Sequence, residues 1–140
     1  MEYQIEENNI YTRDLCWVYF RKGYAGVKNA DGFVTARDGE VITGSMGYLE
    51  IETGLYQFLH LVVHPDYRRQ GIGTRIIQEA VGLFKKEGAW LIRNHKSSNL
   101  MPYDIFNEMG FKLATVHKHN KKKVRVYELN LAYPEQTYED

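Results

Sequence analysis

The sequence predicts a single α/β domain built on a mixed, mostly antiparallel twisted sheet of about six to seven strands, with helices on both faces. Two short apolar runs flank the pair Asp38-Gly39, which is typical of a β-hairpin. The run Leu55–Val63 is almost continuously apolar, as in a central strand that is covered on both faces. After Gly73 the apolar residues recur with helical spacing, and a strand–helix–strand order of this kind implies a right-handed parallel crossover.

Composition and charge narrow the class of protein. The chain has 140 residues, of which 18 are basic and 18 acidic, so no net charge draws it to nucleic acid or an anionic membrane. Cys16 is the sole cysteine, which excludes an internal disulfide and suits a reducing cytosol. The polar start Met1–Gln4 does not resemble a signal peptide, and no run approaches the ~20 apolar residues that span a bilayer. We therefore expect one cytoplasmic domain over residues 1–140, with neither nucleic acid nor membrane as a partner.

The elements before the central strand follow from local patterns. A short polar start is followed by an apolar-rich piece, Ile10–Phe20, that is expected to be helical. The hairpin then pairs Phe33–Ala36 with Val41–Thr43. A further strand is expected over Gly47–Ile51, before the turn that leads into the central strand.

The second half of the chain alternates strands and helices. Pro65 ends the central strand, because proline cannot donate to a sheet ladder. The helix that follows carries an apolar stripe from Ile76 to Phe84 and stops at Gly88. The remaining expected elements are a strand at Trp90–Ile92, a polar loop at Asn94–Ser98, a helix at Leu100–Met109, a hairpin of Phe111–Val116 and Val124–Leu131 around the basic turn His117–Lys123, and a frayed tail.

The segment Arg68–Gly73, between the central strand and the helix, has the residue types of a pyrophosphate pocket. Glycines let the backbone approach a ligand closely. The first amides of the helix lack intrahelical partners, and the helix dipole together with Arg68 and Arg69 favours an anion there. A dinucleotide fingerprint would need its third glycine where the chain has Ile76, and the Gly-Lys-Ser/Thr of a P-loop is absent. The alternative is a tight turn with solvated arginines, which would not explain the order of the elements.

The order of these motifs resembles the GNAT superfamily of N-acetyltransferases. Its signature, Arg/Gln-x-x-Gly-x-Gly/Ala after the fourth strand, is matched by Arg68, Gly71 and Gly73. Further along, Asn99 and the pair Gly110-Phe111 match the asparagine and the Gly-Phe that closes a helix in the family. The resemblance extends over residues 33–131, which is most of the chain.

The resemblance implies that the protein uses acetyl-CoA as a cosubstrate, bound in a wedge where the fourth and fifth strands splay apart. Amides of Arg69–Thr74 would hold the pyrophosphate. Backbone groups of Leu61–Val63 would pair with the pantetheine arm, and one of them would polarise the thioester carbonyl. No metal is implied. The residues that the resemblance assigns to CoA are Leu61, Val62, Val63, Arg68, Arg69, Gln70, Gly71, Ile72, Gly73, Thr74, Asn99 and Phe106.

The proton donor departs from the family pattern. Many members have a tyrosine four residues before the glycine of the Gly-Phe pair, and here that position is Phe106, which has no proton to give. Tyr103 lies about one helical turn earlier and would substitute for it, or else only pack. Because a CoA thiolate is a tolerable leaving group, the loss of the acid need not abolish activity.

The general base departs from the family pattern as well. Some relatives have a glutamate on the fourth strand, at a position that counts to Gln57 here. His60 is a candidate because histidine side chains can accept a proton near neutral pH, although a histidine in an apolar strand is commonly a core residue. Glu50, Glu52 and a water relay are the alternatives.

The acceptor implied by the resemblance is a primary amine of a small molecule or peptide, which attacks the thioester directly. The basic turn His117–Lys123 would border its site and favour an acidic or phosphorylated acceptor, or it is a solvated tip that protects a sheet edge. Since Phe106 and Gln57 lack the expected acid and base, a CoA-binding regulatory module with little catalysis is the alternative function. Family habit favours a homodimer.

Overall fold

One seven-stranded sheet organises the residues that the computed structural model describes, which are 1–8, 29–97 and 105–131. The strand order is β1-β2-β3-β4-β5-β7-β6, and every neighbouring pair is antiparallel except β4–β5, which is parallel. The elements are β1 Glu2–Glu7, β2 Gly32–Asp38, β3 Val41–Glu52, β4 Leu55–Val63, α1 Ile72–Lys86, β5 Leu91–Ser97, α2 Ile105–Glu108, β6 Lys112–His119 and β7 Lys122–Asn130. This arrangement confirms the predicted fold class.

The core lies where α1 crosses the sheet. The buried stripe of α1 runs from Ile72 through Ile76 and Ile77 to Phe84, and it forms one core cluster with buried apolar residues of β2, β3, β4, β5 and β7. The ring of Phe84 stacks on Tyr56 with centroids 4.3 Å apart and meets Tyr48 edge-on at 4.8 Å. The helix ends at Lys86, and Glu87 caps it. Gly88 follows with a φ of +91°, in agreement with the predicted stop at this glycine.

Strand boundaries agree with the sequence where apolar patterns are strong. The strand Leu55–Val63 has the predicted bounds, and the hairpin at Asp38-Gly39 is confirmed. The separate strands expected at Val41–Thr43 and Gly47–Ile51 are one strand, because β3 is long enough to pair with both of its neighbours. Strand β1 lies in the polar start and was not predicted.

Two loops expected from polar composition are strands instead. The expected loop Asn94–Ser98 is wrong through Ser97, since β5 continues along β7 to the pair Ser97↔Val124. The expected turn His117–Lys123 is also wrong in extent, because β6 and β7 pair up to His119↔Lys122 and leave a two-residue turn. Pairing with β7 gives the backbone N–H and C=O groups of these polar segments their hydrogen-bond partners. The expected helix Ile10–Phe20, Cys16, residues 100–104 and the tail lie outside the described residues.

Candidate active site

A gap opens between the two parallel strands at the centre of the sheet. Strands β4 and β5 pair from Leu55↔Leu91 to Phe58↔Asn94, and no ladder pair joins them beyond that point in the described residues. Both strands nevertheless continue, to Val63 and Ser97. The edges that face each other across the gap therefore belong to well-formed strands whose other edges are paired with β3 and β7.

A β-bulge in β4 accompanies the gap. The β3–β4 register runs Gly47↔Leu59 and then Ser45↔Val62, so Met46 faces two residues, His60 and Leu61. His60 has a φ of 42°, which is the left-handed conformation that one residue of a bulge can adopt. A bulge bends its strand and increases the local twist, and this bulge lies just beyond the last residue of β4 that pairs with β5.

The backbone parity of β4 shows which groups face the gap. The amide of His64 donates to the Thr43 carbonyl of β3 at 2.7 Å. Successive residues of a strand present their N–H and C=O groups to opposite edges, so Val62 also faces β3 while Leu61 and Val63 face the gap. The Val63 carbonyl accepts a hydrogen bond from Arg68 Nε at 3.2 Å, which agrees with this assignment.

A braced turn connects β4 to the glycine loop. His64 Nδ1 accepts from the Asp66 amide at 3.1 Å, and this caps a short 3-10 turn that contains Pro65. The Tyr67 hydroxyl donates to Asp38 Oδ2 at 3.2 Å, which ties the turn to the β2–β3 hairpin. The loop that follows therefore starts from a fixed position.

The glycine loop delivers the start of α1 to the mouth of the gap. Arg69 and Gly71 have φ values of 64° and 77°, and Gly71 is the N-cap of α1 without a side-chain capping bond. A Cβ added to Gly71 would meet nothing within 4 Å, so glycine is needed there for its dihedral angle and not for space. The first amides of α1 have no intrahelical acceptor and open onto a pocket of about 290 Å³. That pocket is lined by Val63, Tyr67, Arg68, Arg69, Gly71, Ile72, Gly73 and Thr74.

Positive charge surrounds this pocket. The side chains of Arg68 and Arg69 are exposed and lie in its lining, and the N-terminal end of the α1 dipole adds a partial positive charge. No carboxylate is among the lining residues, in the part of the chain that the structure describes. The pocket therefore fits an anionic group such as a pyrophosphate.

The candidate bases from the sequence lie in different places. His60 is exposed at the bulge, so its interpretation as a core residue is wrong. Glu50 and Glu52 pair with Tyr56 and Leu55 at the other end of β4. Tyr56 lies two residues before Phe58, after which the gap begins, and this is roughly 7 Å along a strand. Neither glutamate is at the gap.

The candidate acid site is apolar. Phe106 is 7 % exposed and packs edge-on against Phe111, with ring centroids 5.2 Å apart and an interplanar angle of 85°. Phe111 in turn lies 6.2 Å from Phe58, the last β4 residue paired with β5. Phe106 is therefore part of the wall behind the gap. Tyr103 and Asn99 lie outside the described residues.

Sequence patterns did not single out the polar groups that β5 carries to the gap. Asn94, in the last β4–β5 pair, is 8 % exposed and is a buried polar side chain at the start of the gap. His95 is the next residue and lies 6.4 Å, ring to ring, from His117 of β6. Partial burial, Arg93 and His117 lower the pKa of His95 below the usual 6.5. Two residues before His95, Arg93 Nε donates to Glu128 Oε2 at 3.1 Å.

These features are those of a known protein family, and a comparison of the sequence with family models identifies that family. The model of the acetyltransferase (GNAT) domain matches residues 28–113. The chain belongs to the GNAT acetyltransferase family. No curated protein sequence matches it significantly.

Solved structures agree on the fold of this GNAT protein. The ribosomal-protein-S18-alanine N-acetyltransferase from Escherichia coli superposes with a TM-score of 0.76 at 14 % identity, covering 99 % of this chain and 100 % of that one. The aminoglycoside 6'-N-acetyltransferase from Enterococcus faecium gives 0.76 at 17 % identity, covering 94 % and 97 %. A Bacillus subtilis acetyltransferase in complex with CoA gives 0.69 at 16 % identity, covering 92 % and 99 %.

The family uses acetyl-CoA as its acyl donor, and the site has the features that this cosubstrate requires. The helix-start amides and two arginines suit its pyrophosphate, while the exposed strand edge of β4 suits the amides of its pantetheine arm. Among the described residues, no helix combines the length and apolar character needed to cross a membrane.

Proposed function

We propose that this GNAT protein transfers an acetyl group from acetyl-CoA to a primary amine of a small molecule or peptide, by direct attack of the amine on the thioester. The observation that carries the proposal is the continuity of the site. The β4–β5 gap that begins after Phe58↔Asn94 leads along Val63 into the cationic pocket at the start of α1. An extended ligand with an anionic centre and a reactive end fits that course.

We assign the donor half of the site to the glycine loop and the edge of β4. The amides of Arg69–Thr74 receive the pyrophosphate, with Arg68 and Arg69 at the rim. Within the segment Leu61–Val63, the backbone roles fall to Leu61 and Val63, since Val62 faces β3. A gap-facing amide next to the bulge would donate to the thioester oxygen and stabilise the charge that develops there.

The solved neighbours and the exposed lysines of this chain bear on the acceptor. The solved neighbours include an enzyme named for a ribosomal-protein alanine and others named for aminoglycosides, so the fold serves peptide and small-molecule acceptors alike. In this chain Lys118, Lys121 and Lys123 are exposed near the β6–β7 turn. These lysines favour an acceptor that carries an acidic or phosphorylated group beside its amine.

The second candidate function is a CoA-binding regulatory module. The observation that favours it is Phe106, which lies in the apolar core at the position where many relatives have a tyrosine acid. Tyr103 remains the proposed proton donor for the enzyme, and Tyr103→Phe tests it through the rate of thiol release.

Calorimetry with acetyl-CoA, followed by a thiol-release assay over a panel of primary amines, separates the two functions. The enzyme binds acetyl-CoA and releases thiol with at least one amine. Binding without release for any amine favours the module, and no binding refutes both.

The pocket assignment has its own test in Arg68→Ala. We expect this variant to weaken CoA binding about tenfold, since it removes a charge from the pocket lining. Arg75→Ala is the matched control, because Arg75 lies one turn into α1 but binds Glu79 at 2.9 Å and covers the Tyr3 ring. Equal losses in both variants would show a general charge effect and refute the assignment.

A further inference from the structure

We propose that His95 is the general base, which accepts the proton that the acceptor amine loses as it attacks. This inference rests on the proposed function, and it adds the residue that the family pattern leaves open at Gln57.

The position of His95 follows from the ladder. It is the first β5 residue beyond Phe58↔Asn94, so it lies where the two strands part. Asn94 and Ile92 are buried on the sheet face that α1 covers. Because side chains alternate along a strand, His95 projects from the opposite face. It is exposed there, so an acceptor that approaches the gap from the side away from the CoA-binding helix can reach it.

The surroundings of His95 suit a base that stays neutral. His117 approaches the ring of His95 edge-on from β6. The direct neighbour of His95 on β7 is the buried Val126. Arg93 lies on the same face of β5 as His95, where it is paired with Glu128 of β7. Partial burial penalises the imidazolium most and the charges of Arg93 and His117 add to this, so the pKa of His95 is lowered. At neutral pH the ring is therefore ready to accept a proton.

The competing histidine lacks such support. His60 stands on the β4 side of the gap, but it occupies the bulge in a left-handed conformation and is exposed. No ring contact of the described residues holds its imidazole. A base must be positioned within hydrogen-bond reach of its proton, and the edge-on contact with His117 gives that restraint to His95.

The transfer balances with His95 in this role. The amine nitrogen uses its lone pair to form the C–N bond to the acetyl carbonyl carbon. The imidazole of His95 takes the N–H proton and becomes imidazolium. The C–S bond breaks, and sulfur leaves with the bonding pair as the CoA thiolate. The imidazolium then returns its proton to thiolate or solvent, and no other reactant is needed.

The experiment compares His95→Gln with His60→Gln and His117→Gln, using acetyl-CoA and the best primary amine found for the wild type. We expect His95→Gln to lower kcat by about 100-fold or more, with CoA affinity within twofold of the wild type. It should also remove the rise of kcat/KM with pH that belongs to a group titrating below 6.5. His60→Gln should keep that rise, and His117→Gln should move it to higher pH because a neighbour that lowers the pKa of His95 is gone.

Chemical rescue supplies a readout that a structural role would not move. Free imidazole should restore thiol release in His95→Ala, since the side chain is exposed and leaves an accessible space. If His95→Gln keeps kcat within threefold, or retains the low-pH rise, the role of His95 is overturned while the enzyme stands. If the wild type binds acetyl-CoA but releases no thiol with any amine, the proposed function fails and the base falls with it.

Discussion

Phe58 and Asn94 form the last pair of the parallel β4–β5 ladder, and beyond them the two strands separate although neither has ended. The same two residues mark both sides of the site. Phe58 belongs to the core beneath α1, where it contacts Phe84 and Phe111. Asn94 is the buried polar group that precedes His95. The gap therefore begins at a fully packed part of the sheet, which keeps the gap in a fixed position.

The loop glycines should differ in what they tolerate. Gly71→Ala places an alanine at a φ of 77°, which costs roughly 1–2 kcal/mol and distorts the helix start, so CoA binding should weaken. Gly73→Ala places a Cβ at ordinary contact distance, 3.5 Å from Val63 Cγ2, inside α1, where alanine gains up to about 1 kcal/mol over glycine. Urea unfolding measures the stabilities and calorimetry the CoA affinity. A Gly71→Ala protein as stable as the wild type would contradict the dihedral argument.

A second glycine pair separates steric overlap from dihedral strain. Gly54 has a φ of +82°, and an added Cβ would lie 2.4 Å from Trp90 Cδ1. The Trp90 indole is held there by a hydrogen bond from its Nε1 to the Thr53 carbonyl at 3.0 Å. Gly54→Ala should therefore destabilise the protein by about 3 kcal/mol or more, the sum of strain and overpacking.

Gly39→Ala is the control for that measurement. Gly39 also has a positive φ, +64°, but an added Cβ would meet nothing within 4 Å. Its variant should lose only the dihedral cost of roughly 1–2 kcal/mol. Equal losses at Gly54 and Gly39 in urea unfolding would mean that Trp90 moves aside freely.

Sequence patterns located the site where chemistry and local periodicity coincide. The segment Leu55–Val63 and the helix after Gly73 were predicted with nearly their observed bounds, because an apolar run and a helical stripe need no knowledge of their neighbours. Strand β1, Glu2–Glu7, was missed because it is polar and is a strand only through pairing with β2. Its pattern alone carries too little apolar alternation to predict a strand.

The catalytic side of the site depends on tertiary pairing. A bulge residue with positive φ is commonly glycine, so His60 gave no signal that the alternation of β4 ends there. His95 acquires its neighbour from β6, more than twenty residues further along the chain. No local sequence pattern predicts that His95 and His117 lie together.

The ion pair at the β1 edge should make folding stability depend on acidity. Glu6 accepts from Arg37 Nε at 2.6 Å and Arg37 Nη2 at 2.7 Å, and also from Thr35 Oγ1. Burial alone would raise the pKa of Glu6, but the hydrogen bonds from Arg37, Thr35 and Gln4 outweigh it and lower the pKa below 4.5.

The sign of the pH effect follows from that lowered pKa. The folded state favours ionised Glu6, so its stabilisation is present above pH 4.5 and is lost as pH falls through the folded-state pKa. Glu6→Gln should cost about 1 kcal/mol at pH 7, allowing for solvent screening, and the cost should vanish at low pH. Urea unfolding between pH 7 and pH 3 measures both. Glu79→Gln, which breaks the exposed pair with Arg75, is the control and should cost about 0.5 kcal/mol or less.

The β6–β7 turn offers a stabilising substitution. Asn120 and Lys121 have φ values of 52° and 66°, the geometry of a two-residue turn in which Asn-Gly is the preferred pair. Lys121→Gly should therefore raise the free energy of unfolding by about 1 kcal/mol, because glycine adopts a positive φ without strain. Lys123→Gly removes the same charge from the adjoining strand β7, where glycine is unfavourable, and should lower stability. Opposite signs in urea unfolding support the dihedral explanation, whereas equal gains would assign the effect to relief of charge repulsion among the turn lysines.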